Sequence, residues 1–222
     1  MAETAQQPPA GLTPEAEEAG FYHEAALNAS WTGARLALGG MSFGFGAFVF
    51  AFFYLRSLNS HHDWYPAGFK APQAWVGVVV VLLIVVSALL QTFVLQRIKA
   101  GHKGIWQRGA LVSLVLGLVA IAIQLWQLTA LPFPPGFAGF ASVFVGFQPV
   151  FVFVVFGAMV WLEIMIQRSR PIPELAFVEQ PPTYAEAFAV QRFQASLSAF
   201  TLVWNYLAVI AIVAWVLFYL VH

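Results

Sequence analysis

Histidine is the commonest metal-ligating side chain, so its positions bear first on what this chain could do chemically. None of the histidines lies within an apolar segment long enough to cross a membrane; they are His23, His61, His62, His102 and His222. This chain is therefore not expected to ligate a haem or copper ion inside the bilayer.

One cluster contains metal-ligand residue types, the consecutive residues His61, His62 and Asp63. Two adjacent histidines and a carboxylate can hold a metal at a protein surface, but no fourth donor follows at a typical spacing. A solvated polar loop is the simpler interpretation, and a surface metal site is the alternative. Thiolate ligands are excluded because the chain has no cysteine.

Glu163 is the one acidic or basic side chain within the predicted membrane-spanning segments. Such a residue is a functional hypothesis by default. It lies three residues from the end of its segment, with Gln167 and Arg168 following, so we expect an interfacial carboxylate paired with Arg168. A proton-handling role is the alternative, although no chain of acidic or histidine residues leads through the membrane.

Four amide side chains of the apolar segments are interpreted as interhelical hydrogen-bonding groups: Gln124, Gln127, Gln148 and Asn205. The sequence contains no glycine-rich phosphate loop, nucleophile elbow or helix-borne zinc motif. We therefore expect no catalytic, cofactor-binding or metal-binding residue in this chain.

The composition indicates the environment in which these residues act. The chain has 222 residues, of which 60% are hydrophobic and 9% charged, against about 25% charged residues in an ordinary soluble domain. Its formal net charge is zero, and this argues against a nucleic-acid partner, which would require a clustered basic surface. A polytopic membrane protein is the remaining class.

Five segments approach or exceed the roughly 20 apolar residues that a spanning helix needs. The sequence thus predicts an all-α bundle of five transmembrane helices, because an open sheet edge in lipid would leave backbone groups unpaired. Residues 1–31 are predicted to form a polar tail and residues 32–222 the membrane domain, with spans at Leu36–Leu55, Trp75–Leu95, Ala110–Leu131, Phe140–Ile166 and Leu197–Leu220.

The distribution of basic residues predicts the orientation. Two basic residues, Arg56 and Lys70, follow the first span, whereas eight fall on the opposite side: Arg35, Arg97, Lys99, Lys103, Arg108, Arg168, Arg170 and Arg192. The positive-inside rule then places the N-terminus in the cytoplasm and the C-terminus outside. Within the tail, Thr13 and Pro14 predict the start of a short surface helix that ends near Ala29.

Three stripes of small residues offer surfaces for helix packing. They are Gly40 and Gly44 in the first span, Gly109, Ser113 and Gly117 at the third, and Ala208, Ala211 and Ala214 in the last. Packing within the bundle is the simpler interpretation for all three. The alternative is that one stripe docks a partner subunit, and the sequence does not indicate which one.

Several local patterns occur in a characteristic order along the chain. The first span follows a basic residue, ends in a phenylalanine-rich stretch, and precedes a loop with Trp64, Pro66 and Gly68. Later spans carry Ser87-Ala88, then Gly117 with Gln124-Leu125-Trp126, then Gly146-Phe147-Gln148, and finally Trp204-Asn205-Tyr206. From Arg35 to the C-terminus this order resembles subunit III of the haem-copper respiratory oxidases, in its five-helix bacterial form.

The resemblance implies a non-catalytic accessory subunit in the bacterial cell (inner) membrane. Such a subunit packs on catalytic subunit I, with subunit II nearby, while haem and copper reside in those partners. The family binds phospholipid between its helices, and Arg35 would be a headgroup contact. The family's membrane glutamate corresponds to Phe43, its two fourth-span histidines to Gln148 and Phe151, and a further acidic residue to Gln127, so the implied role is scaffolding and lipid holding.

Three alternatives remain at this point. One is a subunit III-like companion of a nitric-oxide reductase. Another is a small membrane transporter whose path would use Glu163 and the amides of the spans, Gln124, Gln127, Gln148 and Asn205. The last is a copper-delivery or metal-oxygenase subunit using His61, His62 and Asp63.

Overall fold

A computed structural model describes residues 14–58, 64–66, 68–178 and 187–221 of the chain. This part is all-helical, without strands, and five of its helices are long and apolar enough to cross a membrane. The predicted five-helix class is thereby confirmed. The helices are α1 (Pro14–Ser57), α2 (Ala74–Lys99), α3 (Lys103–Thr129), α4 (Gly139–Ser169) and α5 (Phe188–Tyr219), with a 3-10 turn at Pro173–Ala176.

The first helix differs from the sequence-based prediction. A helix does begin at Pro14, but it continues through Ala29 and through the predicted boundary at residue 31 as one element of 44 residues. At about 1.5 Å per residue it is about 66 Å long, roughly twice the hydrocarbon thickness. The reason is local: alanine, glutamate and leucine favour helix, and after Pro14 the next proline is Pro66.

The packing order places α4 and α5 at the centre of the bundle. Helix α5 packs against α1, α2 and α4, while α4 packs against α1, α3 and α5. Helices α2 and α3 form the closest pair. Helix α1 therefore lies at the edge, with neighbours on one side.

One end of the bundle, called here the Trp64 end, is closed by aromatic rings. The Trp64 ring lies 4.9 Å from that of Phe52 and 5.8 Å from that of Phe140, measured between centroids. The Phe140 amide also donates to the Trp64 carbonyl at 3.3 Å. Beside them, burial raises the pKa of Tyr65. These contacts fasten the loop after α1 onto the start of α4.

The opposite end, called here the Lys103 end, contains two connections that carry basic residues, one between α2 and α3 and the other after α4. Lys103 Nζ donates to the carbonyl oxygens of Arg170 at 3.1 Å and Ile172 at 2.8 Å. Gln107 Nε2 donates to Ser169 Oγ at 2.9 Å. The basic loops thus share one end of the bundle, as the charge distribution requires, and the direction of insertion stays a prediction.

Candidate functional site

A fully buried hydrogen-bond network joins α2, α3 and α5 in the middle of the bundle. Ser87 Oγ lies 2.7 Å from Ser113 Oγ, and Ser113 Oγ donates to the Ser87 carbonyl at 3.1 Å. Trp204 Nε1 donates to Ser87 Oγ at 3.1 Å. All three side chains are 0% exposed. The short serine side chains let α2 and α3 approach closely, and Ser87 Oγ accepts the hydrogen bond of the indole N–H. The network therefore acts in helix packing.

A second polar contact connects α2 and α5 one turn further along. Asn205 Nδ2 donates to Thr92 Oγ1 at 3.0 Å, and the Thr92 hydroxyl lies 3.0 Å from the carbonyl oxygen of Ala88. Asn205, singled out from the sequence, therefore bridges two helices. Thr92 is the partner that the sequence did not reveal, because 113 positions separate the two.

The three glutamines singled out from the sequence meet around one cavity between α2, α3, α4 and α5. This glutamine cavity has a volume of about 30 Å³ and is lined by Gln124, Gln127, Gln148, Trp215 and Tyr219, together with apolar side chains. Gln127 Nε2 donates to Tyr219 Oη at 3.0 Å. The site is neutral, with amide, indole and phenol groups as its polar components.

Three polar atoms at this cavity are buried without a hydrogen-bond partner in the described part of the chain. They are Oε1 of Gln124, Oε1 of Gln148 and Nε1 of Trp215. Gln124 is 5% exposed and Gln148 is 7% exposed. Pro149 follows Gln148 inside α4 without ending the helix. Buried polar groups normally have partners, so this set requires an explanation.

Gly77 on α2 makes room for the aromatic wall of the glutamine cavity. A Cβ atom at this position would lie 2.6 Å from Tyr219 Cε2 and 2.9 Å from Trp215 Cδ1. No carbon substituent fits at these distances without a shift of the rings. The glycine therefore determines how close α5 comes to α2.

Gln91 is a buried polar residue that sequence reasoning missed. It is 0% exposed on α2, and both atoms of its side-chain amide lack a partner among the described residues. Gln91 could have been identified from the sequence, because it is the one amide side chain in the predicted second span.

Glu163 lies within α4, half-buried, nearly two turns before the helix end at Ser169. Its carboxylate accepts a hydrogen bond from Gln167 Nε2, one turn along the same helix. The structure thus gives the carboxylate a neutral partner where the sequence suggested Arg168. Glu163 lies apart from the glutamine cavity, because the α4 residues that line this cavity, Phe147, Gln148 and Phe151, belong to the opposite half of the helix.

The basic residue singled out for lipid contact, Arg35, is exposed on α1. Its guanidinium carbon lies 5.6 Å from the centroid of the Trp31 ring, within cation–π range. A larger basic site exists at the Lys103 end, where Arg168 and Arg192 line a surface cavity of about 520 Å³ with Ser30.

Within the described ranges, no group of three or more histidine, aspartate and glutamate side chains is placed to hold a metal ion. His23 packs against Phe188 with ring centroids 4.1 Å apart. The predicted surface cluster of His61, His62 and Asp63 lies outside the described residues, as does His222.

The three small-residue stripes differ in whether the structure buries them. On α3, a Cβ at Gly109 would collide with Val94 and one at Gly117 with Met159, so this stripe is used inside the bundle. On α5, Ala208 and Ala211 are buried. On α1, Gly40 and Gly44 are exposed, and a Cβ at either would meet nothing within 4 Å.

The exposed stripe of α1 extends along much of the helix. Five exposed small residues follow one another at alternating spacings of four and three positions: Gly33, Ala37, Gly40, Gly44 and Ala47. This set is called here the open face of α1. Such spacing keeps residues on one side of a helix and suits close packing against another helix.

Burial figures agree with the peripheral position of α1. In its apolar part 11% of the residues are buried, against 33% to 44% in the other four helices. Large side chains beside the open face are also exposed, with Phe43 at 83% and Phe50 at 69%. Much of this helix is therefore available to lipid or to another protein.

The chain was compared with known proteins. No protein-family model matches it, and no curated protein matches it.

Proposed function

We propose that this multi-pass membrane protein is a non-catalytic accessory subunit of a haem-copper terminal oxidase, similar to subunit III, in a bacterial inner membrane. The observation that carries the proposal is the open face of α1. The small-residue stripes of α3 and α5 are used within the chain, whereas that of α1 has no partner among the described residues. In this role it packs on a helix of the catalytic subunit.

The chemistry of the bundle supports an accessory role over a catalytic one. The polar groups at its centre are hydroxyls, amides, an indole and a phenol, which hold neighbouring helices together. The choice of an oxidase as the partner rests on the order of sequence features from Arg35 to the C-terminus. Haem and copper would then be bound by the partner subunits I and II.

Lipid holding is the second part of the proposed role. Arg168 and Arg192 line a surface cavity at the Lys103 end whose other walls include Phe188 and Phe193. Two cations above apolar side chains suit a phospholipid headgroup above its acyl chains. Arg35, exposed beside Trp31 on α1, is a further headgroup contact at the same end.

The test is purification of the tagged chain from its native membrane in mild detergent. We expect haem absorption in the visible spectrum and oxidase subunits among the co-purifying polypeptides. A preparation without haem and without such subunits would refute the proposal. Nitric-oxide reduction in place of oxygen reduction would assign the chain to the reductase alternative.

A variant pair tests the docking surface. Gly40→Leu with Gly44→Leu should leave the chain folded, because both positions face open space, yet should abolish co-purification of haem. Gly157→Leu is the matched control, since Gly157 is exposed on α4 and a Cβ there also meets nothing within 4 Å. If the control variant loses haem to the same extent, or the double variant retains it, the open face of α1 is not the docking surface.

A further inference from the structure

The unpartnered atoms at the glutamine cavity form a complementary set. Oε1 of Gln124 and Oε1 of Gln148 are hydrogen-bond acceptors, whereas Nε1 of Trp215 is a donor. All three side chains line the same cavity, although they come from α3, α4 and α5. One small molecule in this space can therefore contact three helices.

The size of the cavity limits what can occupy it. Its volume of about 30 Å³ exceeds the roughly 10–15 Å³ that one water molecule requires. A lipid chain, a sugar or a nucleotide is far too large. The occupant is thus a molecule with one or two heavy atoms.

The polarity of the set selects among small molecules. A cation would satisfy the two acceptors but would face the indole N–H, and an anion would face two carbonyl oxygens. An apolar gas would leave all three atoms without partners. Water can donate two hydrogen bonds and accept another.

We propose that the glutamine cavity binds one ordered water molecule. This water donates to Oε1 of Gln124 and Oε1 of Gln148 and accepts from Nε1 of Trp215. It joins α3, α4 and α5 through neutral groups at a depth where apolar packing alone would leave those groups unsatisfied. The proposal rests on this cavity and is independent of partner docking.

Gln127 provides the connection to bulk water. Its side chain lines the glutamine cavity and also a larger cavity of about 370 Å³ at the Trp64 end. Lys70 and Gln73 line this larger cavity as well, so it is partly polar. A bound water would therefore have a route of exchange past Gln127 to this end of the bundle.

The direct test is an experimental structure of the full chain in lipid nanodiscs at a resolution that shows waters. We expect one density peak within hydrogen-bonding distance of Gln124 Oε1, Gln148 Oε1 and Trp215 Nε1. An empty cavity, a larger molecule, or a direct hydrogen bond between the two glutamine side chains would overturn the proposal.

Radiolytic hydroxyl-radical labelling provides a second test in solution, since radicals form from water in place. Phe151 lines the cavity and is 1% exposed, whereas Phe200 is 0% exposed and lies elsewhere in the core. We expect labelling of Phe151 well above that of Phe200. Equal labelling of the two residues would contradict a bound water.

Two variants remove the water by different means. Gln148→Leu removes one acceptor, and Ala211→Val fills the cavity with two additional carbon atoms while keeping every polar group. In both we expect Phe151 labelling to fall to the level of Phe200. If Gln148→Leu does not fold, Ala211→Val decides: labelling of Phe151 that persists in this variant would refute the site.

Discussion

Replacement of Gly77 by alanine tests the closest approach between α2 and α5. The added Cβ would lie 2.6 Å from Tyr219 Cε2 and 2.9 Å from Trp215 Cδ1. Both atoms belong to rigid rings, so relief requires a shift that also breaks the bond from Gln127 to Tyr219 Oη.

The magnitude follows from separate contributions. Overpacking costs about 1–3 kcal/mol, and an interhelical hydrogen bond in a membrane protein contributes about 0.6 kcal/mol on average. Alanine is also the better helix former, by about 0.8–1.0 kcal/mol. We therefore expect Gly77→Ala to lower the free energy of unfolding by about 0.6–2.8 kcal/mol. The measurement is an SDS titration in mixed micelles with circular dichroism as the readout.

Gly44→Ala on the open face of α1 is the matched control, because a Cβ there meets nothing within 4 Å. Gly44→Ala gains the same helix propensity without the collision, so this contribution cancels and the two variants should differ by about 1.6–3.6 kcal/mol. A difference below about 0.5 kcal/mol would be within the range of ordinary surface substitutions. Such a result would refute the close approach described here.

Two further variants probe the polar groups of the bundle by the same unfolding measurement. Ser87→Ala should cost about 1–3 kcal/mol, because it leaves the buried Trp204 indole N–H without an acceptor; adding Trp204→Phe should recover part of that cost, and full stability of the single variant would contradict the network. Glu163→Gln should change the free energy of unfolding by less than about 0.5 kcal/mol and should leave haem co-purification intact. If this variant instead loses a measurable solute flux, the transporter alternative is favoured.

The sequence was sufficient to predict the number of helices and the class of fold, because apolar runs of about 20 residues have few other solutions in lipid. It was insufficient for the extent of α1. Hydropathy marks where a helix leaves the membrane, but the helix need not end there, and residues 15–57 contain no proline that would interrupt it.

For the polar residues too, the sequence was sufficient for one property and insufficient for another. Gln124, Gln127, Gln148 and Asn205 were identified from the sequence because amides are conspicuous in apolar segments. Their partners were not identified, since Tyr219 is 92 positions from Gln127. Which residues pair across such distances depends on which helices are neighbours. The five apolar segments have similar compositions, so the sequence does not predict which of them pack together.

The glycines of the bundle separate into two groups with different physical consequences. Gly77, Gly109 and Gly117 each allow a neighbouring side chain to approach, so the helix stability they forfeit is offset by packing within the chain. The exposed glycines of α1 each cost about 0.8–1.0 kcal/mol of helix stability relative to alanine, and no contact among the described residues offsets this cost. They are Gly20, Gly33, Gly39, Gly40, Gly44 and Gly46. Lipid chains gain little from a smooth helix surface, whereas another helix gains a close approach. This distribution of glycine supports our proposal that a second polypeptide packs against α1.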